Sequence, residues 1–406
     1  MYLNFAWRYF RAKKSTNAIN IISWVSVTAI IIGTASLIII LSAFNGFEGL
    51  VKSLYSSFYT DLKVSPAKGK VMKLSETGIA ALRHFQGVRA VSMVVEDKAL
   101  VRNGDYQAIV YLKGVDNEYS KVAGVPTKII RGRFDLGTPD HPGAVMGAGV
   151  ENAIGVLADR SLFQVTVYMP RKGVADLSNP LESLSQGEML PTGSFAIQSD
   201  FDNKYLLTNI GFVKNNLLYA PDEYSAAEIA LADPERSDEV KAALQQMLGP
   251  TVKVEDRYEQ NRSLYTTIRL EKWAIYAIFS LILLVAAFNM IGALSMLVLE
   301  KKKDIQVLQA MGASESLVRK IFLSEGLLLA LIGATGGMVV AFILYYLQIH
   351  YKLVPIKGES FLIDYYPVRI LPGDLLLVAA TVFVIGLLAS WFPAMRAAKQ
   401  PFELRN

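Results

Sequence analysis

Four stretches of this chain are apolar for long enough to cross a bilayer, and their placement constrains everything else about it. They run Ile21–Phe44, Trp273–Leu299, Leu327–Leu347 and Leu371–Pro393, against the about 20 helical residues that a hydrocarbon core requires. Between the first two lies Asn45–Lys272, with the residue mix of an ordinary soluble domain. The chain is therefore expected to anchor one large water-exposed domain to a membrane. Composition agrees: 52% hydrophobic residues is high for a soluble protein, yet a charged fraction of 19% leaves room for a polar domain.

Charge placement sets the expected orientation. Arg8, Arg11, Lys13 and Lys14 precede the first span; Lys301, Lys302, Lys303, Arg319 and Lys320 join the second to the third; Arg396, Lys399 and Arg405 follow the fourth. By the positive-inside rule all three segments, and both termini, belong in the cytoplasm, and the large domain faces the other side. The loop His350–Pro367 faces that side too, its Lys352 and Lys357 balanced by Glu359 and Asp364. The net charge of +5 is explained by these flanks, so no nucleic-acid partner is expected. The chain has no cysteine, which removes disulfides, thiolate nucleophiles and Cys-type zinc sites together.

The first span is much longer than the about 7–15 residues of a signal-peptide core, and Ser42-Ala43-Phe44 is a poor cleavage site, so it reads as an uncleaved anchor. Before it, Leu3, Phe5, Trp7, Tyr9 and Phe10 interleave with Arg8 and Arg11, a pattern that suits either the headgroup layer or a plain flanking anchor.

The large domain is expected to be α+β, with two β-α-β units around a mainly β insertion. Strand Asp61–Ser65, helix Ser75–Phe85 and strand Ala90–Glu96 form the first unit; strand Glu228–Ala232, a helix started by Asp233-Pro234-Glu235 and completed by Ala242–Leu248, and strand Thr251–Glu255 form the second. Inserted strands are read at Ala108–Lys113, Leu162–Tyr168, Phe195–Ser199 and Leu206–Val213. The expected boundaries are 1–20 interfacial segment, 21–44 first span, 45–272 large domain (61–97 and 228–256 α/β, 98–227 insertion), 273–299 second span, 300–326 cytoplasmic joint, 327–347 third span, 348–370 loop, 371–393 fourth span and 394–406 tail. Helical spacing of Phe47, Leu50, Val51, Leu54 and Phe58, and of Tyr258, Asn261, Tyr265 and Ile268, predicts a stalk at the domain's two connections.

Pro170–Pro191 shows no convincing period and contains three prolines and two glycines. Unstructured loops beyond about 12–15 residues are uncommon in compact domains and are functional or disordered. Its scattered apolar residues offer a binding surface; a loose insertion is the alternative. Pro170, Val174, Leu177, Leu181, Leu184 and Met189 are the candidate contacts.

Enzymatic readings find little support. His84, His141 and His350 lack metal-ligand spacing, no G-x-S-x-G elbow is present, and Gly69-Lys70 is no phosphate-binding loop. Work against a gradient would need energy from another subunit. A docking point for one is the joint after the second span, where Gly312-Ala313 breaks a charged helix. Ser314 then caps a short helix with Leu317, Val318, Ile321 and Phe322 on its apolar side. Spacing alone allows that helix to lie on lipid or to fill a groove on a partner. Within the third span Gly333, Gly337 and Ala341 make a face of small residues suited to close helix contact.

At these residues the chain resembles the lipoprotein-releasing permease family, LolC and LolE, within the MacB-like and FtsX-like ABC permeases. The matching features are Leu41-Ser42-Ala43-Phe44-Asn45-Gly46-Phe47-Glu48, Val285-Ala286-Ala287-Phe288-Asn289-Met290 and Glu300 through Gly312. Phe322-Leu323-Ser324-Glu325-Gly326 and the tail from Pro393-Ala394-Met395-Arg396 match as well. The resemblance implies a non-catalytic subunit of the bacterial inner membrane. It implies no cofactor in this chain, ATP bound by two copies of a separate cytoplasmic ABC ATPase, and a second permease, identical or paralogous. Lipoproteins would be the substrates, a periplasmic carrier the acceptor. The same resemblance makes Gly312, Ala313, Ser314, Leu317, Val318 and Ile321 the ATPase-coupling residues, and places the carrier-binding hook at Pro170–Pro191. Leu41, Phe44 and Phe47 with Ile275, Phe279 and Ile282 bring apolar side chains to the outer ends of two spans, candidates for a lipid or lipoprotein cavity between permease subunits. An FtsX-like signaller of an envelope hydrolase and a membrane-tethered periplasmic enzyme are the alternatives.

Overall fold

The computed structural model describes residues 17–160, 163–171, 184–355 and 365–399. These divide into two units: Val51–Tyr265, and a membrane unit made of the chain up to Leu50 and from Thr266 onward.

In the membrane unit four helices among the described residues are long and apolar enough to cross a membrane. They are Asn17–Tyr55, Arg262–Glu300, Glu315–Tyr351 and Pro372–Ala398, called here the first to fourth membrane helices. Leu37, Leu41, Met290, Leu294, Val318 and Val378 share one buried core. The small-residue face of the third helix packs on the first: a Cβ at Gly333 would sit 2.5 Å from Ile30, and one at Gly337 2.6 Å from Thr34. Without a hydrophobic drive between helices in lipid, such close backbone approach supplies dispersion contacts instead.

The joint between the second and third membrane helices differs from its sequence reading. The short separate helix is Lys302–Ala310, and Gly312 comes after it at φ 90, a left-handed conformation that glycine adopts without strain. Ser314 does act as a helix cap, its Oγ accepting from Leu317 N at 3.3 Å. The helix it caps, however, is the third membrane helix itself, which runs unbroken to Tyr351 because no residue after Ser314 interrupts the helical pattern.

The large unit is α+β, with two large cores among the described residues. Strands Val252–Asp256, Leu62–Pro66, Ala226–Leu231 and Val88–Asn103 lie side by side, all antiparallel. Helices Glu76–Arg83 and Ser237–Leu248 cover them, burying Leu82 and Leu244 against Leu62, Val64 and Ile229. The 16-residue strand Val88–Asn103 then runs on into the second half. There it pairs with Tyr106–Val115, which pairs in turn with Tyr205–Asn209, Gly143–Gly147, Leu184–Phe195 and Val165–Pro170, the last returning to Val88–Asn103. The insertion is thus a small closed barrel filled by Val101, Leu112, Met146, Val167, Met189 and Leu206. Closure removes the free edges that a sheet of this size would otherwise expose.

Two strand readings are corrected. Leu206–Val213 is strand only to Asn209, whose side chain accepts from Gly211 N at 2.8 Å and starts helix Ile210–Leu217. Phe195–Ser199 is the end of strand Leu184–Phe195, followed by a helical turn Ser199–Asp202 capped by Gln198. In both places a polar cap switches the backbone out of the ladder.

Candidate functional site

Three places carry the candidate residues: the barrel's long hairpin, the joint between the second and third membrane helices, and the end of the membrane unit opposite that joint.

Both described ends of the hairpin are strand. Val165–Pro170 pairs antiparallel with the start of Leu184–Phe195, Val165 opposite Met189 and Pro170 opposite Leu184. Period-two alternation turns Met189 fully into the barrel core, while Gln186, Glu188 and Leu190 face out. Met189 is therefore a core residue and not a partner contact. Pro170 is exposed and Leu184 half-buried at the last described rung; Val174, Leu177 and Leu181 lie outside the described residues.

At the joint, burial redistributes the proposed coupling residues. Val318 (1% exposed), Ile321 and Phe322 point into the core of the membrane unit, so Val318 and Ile321 are corrected from docking residues to packing residues. Leu317 and Ala313 are half-buried and Gly312 and Ser314 exposed. The apolar residues on offer are instead Val307 (59% exposed) and Met311 (79%), on and just after Lys302–Ala310.

At the opposite end, Asn45 organises a polar cluster. Its Nδ2 donates to Asp374 Oδ2 at 2.6 Å and to Arg369 O at 3.2 Å, while Lys272 Nζ donates to Asn45 Oδ1 at 2.8 Å and meets both Asp374 oxygens at 3.3 Å. One asparagine thereby ties the first, second and fourth membrane helices. Gly46 is needed beside it, because a Cβ there would lie 2.1 Å from Pro367 O. Phe47 stacks on Tyr366, 6.3 Å between centroids. Of the residues proposed to line a lipid cavity, Leu41 (1% exposed) is interior to the bundle, Phe44, Ile275 and Phe279 are half-buried, and Ile282 is 48% exposed. The apolar cavity of about 390 Å³ lies elsewhere, between the first and third helices and the segment Tyr366–Ile370.

Within the large unit, the chain entering from the first helix is locked by aromatics. Phe58 stacks on Phe201 and leans on Tyr205, both at 4.4 Å, and Tyr55 donates to Asp200 at 2.8 Å. That bond is the main reason the Asp200 carboxyl lies below its ordinary range. The exit toward the second helix is held by a capping box at Asp256 and Glu259, both also paired with Lys241. Lys52 lies over the Tyr265 ring at 5.9 Å, so entry and exit are neighbours. Sequence reasoning did not single out Lys113. It is buried on strand Tyr106–Val115, 2.7 Å from Glu228 and over the rings of Phe58 and Tyr119 at 4.6 and 5.0 Å. A lysine at an inward strand position was its only signal.

Comparison with known proteins fits both units. Residues 23–247, over half of the chain, match the family model of the MacB-like periplasmic core domain, and 276–402 match the FtsX-like permease C-terminal model. Over 98% of its length the chain is 30% identical to the lipoprotein-releasing system transmembrane protein LolC of Neisseria meningitidis serogroup B, covering 96% of that protein. The chain belongs to the LolC/LolE family. A LolE from Haemophilus influenzae is 25% identical over 98% of this chain and 97% of its own. This LolC/LolE family member is also 22% identical to the pyoverdine export ATP-binding/permease protein PvdT of Pseudomonas entomophila, over 98% of this chain but 58% of that one.

Proposed function

We propose that this chain is the permease subunit of an ATP-driven complex that extracts lipoproteins from the bacterial inner membrane and passes them to a soluble periplasmic carrier. The observation that carries the reading is the match to LolC along nearly the whole of both chains, membrane helices and MacB-like domain together. In this reading the termini and the joint at Lys302–Ala310 face the cytoplasm, and the large domain faces the periplasm. ATP belongs to a separate ABC ATPase, two copies of which work with this permease and a second one.

The physical task needs such parts. Each CH₂ drawn from a bilayer into water costs about 0.8 kcal/mol, so moving a lipid-anchored protein takes external energy and a partner that shields the chains. The ATPase meets Val307, Met311 and Gly312; the carrier meets the tip of the hairpin that Pro170 and Leu184 close.

Replacing 172–183 with a short Gly-Ser connector tests the hairpin's role without touching the strand that carries Met189. The complex is expected to assemble and hydrolyse ATP, while lipoprotein stays in the membrane and the carrier no longer co-purifies. Transfer at the normal rate would refute the carrier contact.

A further inference from the structure

The fourth membrane helix turns an apolar stripe outward along its length: Leu376, Phe383, Val384, Leu388 and Trp391 are all exposed. Both ends of the stripe are charged. Asp374 joins Asn45 and Lys272 at one end, and Arg396 lies in the last turn at the other. Their separation along the helix is roughly 33 Å, close to the about 30 Å of a hydrocarbon core. Arg396 therefore stands at headgroup depth, with Trp391 about one turn inside it, in the layer where tryptophan collects.

A second guanidinium meets the first helix-to-helix. Arg396 Cζ lies 4.3 Å from the centroid of Phe392, one turn earlier on its own helix, while Arg319, from the second turn of the third helix, lies 5.9 Å from the centroid of Trp391. Both arginines are exposed. Among the described residues neither joins an ion pair, although Glu315 sits one turn before Arg319. The rings thus hold two long cations in place without supplying an acceptor for their N–H groups. Lys399, also exposed, extends the basic face by a turn beyond Arg396.

Charge and continuity together select the occupant. A guanidinium fork matches phosphate geometry, and the apolar stripe begins at the same aromatic residues and continues through the span. The occupant must therefore carry an anion at one end and a long apolar part at the other. A soluble subunit could meet the arginines but would leave Leu388 and Val384 uncovered in the bilayer. We propose that this face of the third and fourth helices binds an acidic phospholipid. Its phosphate pairs with Arg319 and Arg396, and one acyl chain lies along Trp391, Leu388 and Val384.

The test needs neither ATPase nor carrier, so its failure is separate from failure of the lipoprotein-release reading. In the full chain Trp7, Trp24 and Trp273 are changed to Phe, which leaves Trp391 as the one tryptophan. The protein is placed in phosphatidylcholine nanodiscs, and quenching of Trp391 by dibromo-acyl phosphatidylglycerol is compared with quenching by dibromo-acyl phosphatidylcholine at the same mole fraction. Phosphatidylglycerol should be preferred on the order of tenfold or more, each basic side chain near an anionic headgroup contributing about fivefold. Arg319→Gln and Arg396→Gln should each lower the preference about fivefold, and the pair together more than tenfold, whereas Arg319→Lys/Arg396→Lys should keep most of it. Should the double Gln variant fail to insert, the single variants decide. Equal quenching by the two lipids, or a preference that the Gln variants leave unchanged, would overturn the proposal. A preference seen in the isolated chain but absent from the chain purified with its co-purifying subunits would assign the face to a protein partner and overturn it equally.

Discussion

Lys113→Met in the large domain gives the most quantitative check on how the chain entering that domain is anchored. The ammonium is 2.7 Å from Glu228, with the two side chains 2% and 5% exposed, and it also lies over Phe58, the first large aromatic after the helix ends. Removing the lysine leaves a carboxylate buried without its partner, which costs about 3–5 kcal/mol. The lost cation–π contacts add about 1 kcal/mol. Lys113→Met/Glu228→Leu replaces both charges with apolar groups and should return to within about 1 kcal/mol of the natural chain, as buried pairs commonly do. Urea unfolding of Val51–Tyr265, a compact unit with its own cores, measures all three. Circular dichroism is the probe, since that segment has no tryptophan. A single-variant cost below about 1 kcal/mol, or a double variant as unstable as the two singles added, would refute the reasoning.

Gly46→Ala should lower the thermal midpoint of the full chain in detergent by several degrees, since its Cβ would meet Pro367 O at 2.1 Å. Gly49→Ala, with nothing within 4 Å, should be neutral or slightly stabilising. Burial lowers the Lys214 amine to about 8, whereas an unfolded lysine keeps its proton to about 10.4. The unfolded state therefore binds more protons between those values, and stability should rise with pH from about 8 upward, by on the order of 1 kcal/mol after solvent screening. Lys214→Met should abolish that rise in pH-dependent urea melts. Met311→Asp should release the ATPase in co-purification while leaving the chain folded; Val318→Asp, a charge in the core, should destabilise the membrane unit itself.

Elements whose period is long and whose ends are punctuated were readable from the chain. The four spans, the cap at Ser75, and the Asp233-Pro234 helix start each follow from local chemistry. The small-residue face of Gly333 and Gly337 was readable too, though not that Ile30 and Thr34 fill it. What escaped depends on distant pairing. The sequence between Pro170 and Pro191 has no period of its own, and its second half becomes strand only because Val165–Pro170 and Gly143–Gly147 flank it. Burial of Val318 and Ile321 likewise depends on the bundle around them, since the same spacing serves an exposed amphipathic helix. The Asn45 cluster joins residues more than 300 positions apart, which no local window contains.

The central claim is lipoprotein release, and reconstitution tests it most directly. The full chain, co-purified with the proposed ATPase and second permease, is placed in proteoliposomes carrying a radiolabelled lipoprotein, with ATP enclosed in the lumen for complexes whose ATPase faces inward and the soluble carrier added outside, where their large domains lie. The account predicts carrier-bound label that depends on ATP, on the carrier and on this chain. ATP hydrolysis at full rate with the lipoprotein still membrane-bound and the carrier empty would contradict it.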